Sequence, residues 1–159
     1  MVNKMIQIMN KLKAFLLLGL ICVILAGCSN VFAKKDYYDT NKIAAVEDRY
    51  AKKNSASNSN DSGYSLNVEE FNGRETVWTK TLEKSEDFNV EVKLSLAEGI
   101  VKIVHVDEMG NVTTIIECTP DNCMDTMKTV SLGSGINRIK VVGYRCRNIE
   151  LKLSLLNAE

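Results

Sequence analysis

The sequence predicts an all-β domain, an antiparallel β-sandwich of about eight strands, and three observations predict it. Apolar and polar residues alternate at period two: Phe88, Val90, Val92, Leu94 and Leu96 stand between Asn89, Glu91, Lys93 and Ser95. Ile149, Leu151, Leu153 and Leu155 alternate in the same way with Glu150, Lys152 and Ser154. Such a strand turns one face to a core and the other to water. Glycine-containing pairs recur between these runs, at Asn72-Gly73, Glu98-Gly99, Gly110-Asn111 and Gly133-Ser134-Gly135. They supply the backbone freedom that reversals need. No stretch of helical period interrupts the strands after residue 63.

Before the domain comes a targeting segment. Lys4, Lys11 and Lys13 precede the uncharged apolar stretch Ala14–Ala26, 13 residues long. That length suits the apolar region of a secretory signal and falls short of the ~18 residues of a spanning helix. The stretch ends in Leu25-Ala26-Gly27-Cys28, and a polar run follows. These four residues resemble the lipobox of bacterial lipoproteins. The resemblance implies a lipoprotein signal peptide over residues 1–27, cleavage between Gly27 and Cys28, and acylation of the Cys28 thiol. A lipid-anchored protein on the outside of the cell membrane follows, with the membrane as its partner. In an envelope of two membranes, Ser29 after the cysteine implies the outer one. Stable anchoring takes more than one acyl chain, which diacylglyceryl modification provides.

Charge excludes some functions. Lys plus Arg and Asp plus Glu number 20 each in the whole chain, and 17 against 20 after residue 27. This balance offers no footprint for nucleic acid and no polybasic surface for lipid headgroups.

Residues 28–63 read as the lipidated N-terminus and a flexible tether. Asn54-Ser55-Ala56-Ser57-Asn58-Ser59-Asn60-Asp61-Ser62-Gly63 is low in complexity and holds no large apolar side chain. Within the tether, Ile43, Val46 and Tyr50 share one face of a short helix over 41–53, capped by Thr40 or Asn41.

Residues 64–159 form the sandwich. The strands are expected at 64–71, 75–82, 88–96, 99–107, 111–118, 126–132, 135–144 and 149–156. Asn72-Gly73 and Gly110-Asn111 are read as hairpin turns. The single proline, Pro120, falls in a loop and contradicts no strand. The stretch Leu132-Gly133-Ser134-Gly135-Ile136-Asn137-Arg138-Ile139-Lys140-Val141 is similar to late strands of carbohydrate-binding and galactose-binding-type jelly rolls. That resemblance implies a jelly-roll-like sandwich and a glycan as partner.

The chemistry-bearing residues are sparse. Cys118 and Cys123 flank a turn, Thr119-Pro120-Asp121-Asn122, and are candidates for a loop-closing disulfide. Three reduced cysteines, Cys146 included, are the equal alternative. C-x4-C with the lone His105 matches no zinc spacing, so neither metal nor cofactor is expected. No nucleophile or metalloprotease motif accompanies His105, and the acidic pairs Glu69-Glu70, Glu86-Asp87 and Asp107-Glu108 do not span a cleft by themselves. Catalysis is therefore not expected. Trp78 and Tyr144, as aromatic platforms, and Arg145 and Arg147, as anion binders, are the candidate ligand contacts, although Trp78 lies on the side of its strand shared with Leu82 and reads equally as a core residue. The expected function is a lipid-anchored cell-envelope protein whose sandwich binds a glycan or another envelope protein. The alternative is a structural or accessory subunit of a membrane-associated complex, with an envelope enzyme behind both.

Overall fold

The computed structural model describes residues 34–158; the signal peptide and Cys28 lie outside the described residues. Residues 34–38 are helical, and then come α1 (Thr40–Ala44), β1 (Arg49–Asn60), β2 (Gly63–Leu82), β3 (Glu86–Ser95), β4 (Glu98–Val106), β5 (Val112–Cys118), β6 (Thr126–Leu132) and β7 (Gly135–Asn157). All strand pairings are antiparallel.

Two long strands organise the sandwich. β2 and β7 pair along almost their whole length, and both are irregular near the middle. The register of β2 shifts between Phe71 and Gly73, and in β7 Arg145 and Asn148 take positive φ. This crease divides the sheet into two leaves. The first leaf runs β1-β2-β7-β3-β6. The second carries β4 on the early half of β7, with β5 outside β4. The leaves enclose one core, in which Trp78 of β2 meets Phe88 of β3 edge-on at 6.3 Å. Lys128 of β6 reaches across to donate to the backbone oxygen of Ile115 in β5.

The alternating register expected for β3 and the end of β7 is observed. Val90, Val92, Leu94, Leu151 and Leu153 are buried, while Lys93, Glu150 and Lys152 are exposed. Four expectations need correction. Asn72-Gly73 is a bulge within β2 and not a hairpin turn. Gly73 has φ +116°, and a Cβ there would lie 2.1 Å from the Arg49 carbonyl oxygen, so glycine is required by the close approach of β1. The eight expected strands become six, because 64–71 joins 75–82 and 135–144 joins 149–156, and β1 adds a seventh that was not expected.

The flexible tether is the third correction. Residues 49–60 form an edge strand whose turn into β2 runs through Asp61 and Ser62. The Ser62 amide donates to Asn60 Oδ1 at 3.0 Å and fixes that turn. Nearly every side chain of β1 is exposed, so both faces are wet and no alternation marks it. A polar edge strand of this kind also resists pairing with other chains.

The helix over 41–53 is the fourth. It lasts only from Thr40 to Ala44, capped by Asp39, whose carboxylate accepts the Lys42 amide at 3.2 Å. One short turn has no stability of its own, and pairing with β2 takes the chain from residue 49 onward.

Residues 34–48 lie as a strap across the outer face of the second leaf. Tyr37 and Ile43 cover Val104, Val106 and Val142, all fully buried. The Tyr37 hydroxyl donates to the Glu117 carboxylate. Lys102 Nζ stands 4.4 Å from the Tyr37 ring centroid. Asp36, itself buried, holds Lys42 at 2.9 Å and Arg74 at 3.4 Å.

Lys140 is 0% exposed and donates to the Ala45 carbonyl at 2.6 Å and to Asp48 at 3.1 Å. Burial lowers the pKa of this ammonium, and the Asp48 carboxylate partly offsets that. Removing Asp48 leaves a buried cation without its counter-charge. Asp48→Ala is expected to cost about 2 kcal/mol in urea unfolding, below the usual cost of breaking a buried pair because Asp48 is itself partly open to water. Adding Lys140→Met should restore most of the loss. An unchanged unfolding midpoint in Asp48→Ala would show that the pair contributes nothing.

Candidate functional site

The outer face of the first leaf carries an open groove of about 500 Å³. Register builds it. Asn58, Ser65, Lys152 and Lys93 are consecutive cross-strand partners on β1, β2, β7 and β3. Ala56, Asn67, Glu150 and Ser95 form the next such row. At the usual strand spacing each row spans about 14 Å. Asp125, from the loop before β6, joins the lining.

Period two is the reason these side chains gather here. Tyr64, Leu66, Leu94 and Leu151 point to the core, so their sequence neighbours must point out. Lys93 and Lys152 face one another across β3 and β7. Directly opposed like charges destabilise a sheet. Glu91, 3.2 Å from Lys93, relieves one of them. The face offers amide, hydroxyl, ammonium and carboxylate groups together, with donors and acceptors interleaved. None of the residues lining the groove is aromatic. It is suited to hydrogen-bonding a polar ligand and offers no ring for stacking.

The residues picked from the sequence lie elsewhere. Trp78 is 6% exposed, packs in the core and donates its indole N–H to the Asp61 carbonyl at 3.0 Å. It is no ligand platform. Tyr144 packs against the strap-covered cluster on the second leaf, with the Arg145 guanidinium 5.6 Å from its ring centroid. Arg145 occupies the crease, where its backbone N–H donates to Asn72 Oδ1. Arg147 is shared between Glu98 at 3.6 Å and Glu70 at 3.9 Å. The structure thus gathers Tyr144, Arg145 and Arg147 near the crease and does not bring them to the groove.

Cys118 and Cys123 are joined by a disulfide that closes the turn between β5 and β6, with Cα atoms 4.6 Å apart. Cys146 is free and buried, and burial pushes its thiol up to about 12. Few thiolates exist there at neutral pH, which makes it a poor nucleophile.

His105 is 5% exposed, with Nε2 2.8 Å from Asn137 Oδ1. The Asn137 amide nitrogen donates to the Gly133 carbonyl at 2.8 Å and the Gly135 carbonyl at 3.1 Å. Its oxygen must therefore accept, so Nε2 carries the imidazole proton. Asn137 thus ties the turn before β7 to a core histidine. That gives a structural role to the asparagine of the Leu132–Val141 stretch. Among the described residues, no group of three metal-ligating side chains converges. No helix among them is long and apolar enough to cross a membrane.

No protein-family model and no curated protein matches this chain. Solved structures do. A mutant carbohydrate-binding module of family 29 is 14% identical over 68% of this chain and 78% of its own, with a TM-score of 0.39. A family 61 carbohydrate-binding module in complex with β-1,4-galactotriose is 13% identical over 79% of this chain and 97% of its own, with a TM-score of 0.36. The enzymatically active domain of tailspike protein 4 from bacteriophage CBA120 is 11% identical over 70% of this chain but only 19% of its own, with a TM-score of 0.40. Likenesses this distant carry no weight for function, and the fold rests on the strand pairing described above.

Proposed function

We propose that this chain is a lipid-anchored cell-envelope protein whose β-sandwich binds a glycan, without catalysis, in the groove of the first leaf. The observation that carries the binding reading is the pair of cross-strand rows, Asn58-Ser65-Lys152-Lys93 and Ala56-Asn67-Glu150-Ser95. An amide or carboxylate side chain can bond two neighbouring hydroxyls at once, and a saccharide offers hydroxyls along its length. Side chains based on rigid strands hold such contacts in register.

The anchor rests on Leu25-Ala26-Gly27-Cys28 after an uncharged apolar stretch. Because the domain begins with the strap, it is leashed closely. Asp36, buried in the domain, stands eight residues after Cys28, a reach of at most about 28 Å.

Binding is tested on a glycan array with the full chain in detergent. Retention of at least one glycan is expected, weakened about ten-fold by Asn67→Ala or Glu150→Ala, each the loss of a charged or paired hydrogen bond. No retained glycan, or retention by both variants as strong as by the unaltered protein, would overturn the glycan reading. Co-purification with an envelope complex in that event would favour the accessory-subunit alternative. Anchoring is tested by feeding labelled palmitate, with Cys28→Ser expected to remain unlabelled and uncleaved.

A further inference from the structure

A second cleft, of about 450 Å³, is lined by residues of the strap, of β2 and of β7, and shares no lining residue with the groove of the first leaf. Val46 and Ile136 are apolar residues of its lining, and both are exposed to water, at 77% and 43%. Thr76 and Thr79 of β2 contribute hydroxyl-bearing side chains, and Arg138 of β7 contributes a guanidinium. The Nε atom of Arg138 is buried and has no hydrogen-bond partner. A buried donor in this state is costly, and it is relieved by any acceptor that can reach it.

The nearby acids do not serve it. Asp48 is committed elsewhere: its carboxylate accepts the Thr76 amide at 2.8 Å and the Thr76 hydroxyl at 3.0 Å, and it pairs with Lys140 at 3.1 Å. Glu108 lies against Gly135, so close that a Cβ there would fall 1.6 Å from its Oε2. It makes no ion pair with Arg138 within 4.0 Å.

We propose that this cleft binds a small organic carboxylate bearing an apolar substituent. The carboxylate accepts from the Arg138 guanidinium, whose planar fork matches two oxygens. The substituent covers Val46 and Ile136, removing exposed apolar surface from water. Glu108 lines the cleft as a like charge and weakens the interaction. The site is separate from the groove of the first leaf and does not depend on the glycan reading.

The probe is sodium hexanoate, titrated into the isotope-labelled full chain in detergent, with hexanamide and inorganic phosphate as comparisons. The Arg138 Nε–H resonance and the Ile136 methyl resonance should both shift with hexanoate. Arg138→Gln should weaken binding about ten-fold, the loss of a charge-assisted contact. Glu108→Gln should tighten it about three-fold, the usual size of a screened surface charge effect. Hexanamide binding as tightly as hexanoate, in the unaltered protein, would overturn the carboxylate assignment whether or not the variants fold. Phosphate binding as tightly as hexanoate would overturn the apolar half. Unchanged affinity in a folded Arg138→Gln would remove Arg138 from the site.

Discussion

A fragment of residues 64–159 is expected to remain unfolded, although the tether reading makes it the whole domain. The missing segment carries three separate supports. Tyr37 and Ile43, at 1% and 0% exposure, cover Val104, Val106 and Val142. Losing two such side chains forfeits about 3–6 kcal/mol of apolar burial before the newly exposed partners are counted. Arg74 and Lys140 would keep their places in the leaf but lose Asp36, Ala45 and Asp48. Each would become a cation in a half-buried site without a counter-charge, or would swing out and disrupt the strand. Finally, β2 would lose β1 as its partner and become an open edge, and the Trp78 indole would lose the Asp61 carbonyl. These losses together approach the roughly 5–15 kcal/mol that hold most domains folded. Circular dichroism and urea titration of 64–159 beside 29–159 decide the matter. Cooperative unfolding of the short fragment at the same midpoint would show that the strap and β1 are dispensable.

The reason this support escapes a reading of the sequence is physical. Period two is visible only where one strand face is dry, as at Phe88–Leu96 and Ile149–Leu155, and there the register read from the sequence is the one observed. In β1 both faces are wet, so Asn54–Asn60 has the composition of a linker while Ser55–Asn60 pairs residue by residue with β2. Asn72-Gly73 was ambiguous for a related reason. A hairpin turn and a bulge both ask for a residue at positive φ, and the pair alone does not say whether the strand reverses or bends. The bulge also explains Trp78. A second register shift between Thr76 and Trp78 lets Val77 and Trp78 both face inward, which strict alternation forbids. The groove residues Asn67, Lys93, Glu150 and Lys152 were each legible as outward-facing. Their assembly into rows depends on the order β1-β2-β7-β3, which no local pattern encodes.

The crease is where the second large effect is expected. Phe71 is fully buried at the register shift of β2, stacks on Tyr50 at 6.3 Å, and lies against Gly143 of β7. A Cβ on Gly143 would fall 2.6 Å from Phe71 Cδ1, so the ring occupies the space that only a glycine leaves. Phe71→Ala should therefore cost about 3–5 kcal/mol, through lost burial and the cavity that remains between the leaves. Gly143→Ala should also destabilise, because the ring cannot retreat from the packed crease. The two changes should not add. With the ring gone, the new methyl enters the vacated space, and only its 2.9 Å approach to Cys146 Sγ still needs adjustment. The double variant should be more stable than the sum of the single losses by about 1 kcal/mol or more, within the range seen for contacting residues. Denaturant unfolding of the four proteins gives the coupling directly. Agreement with simple addition to within about 0.5 kcal/mol would mean that Phe71 and Gly143 do not share the crease as described.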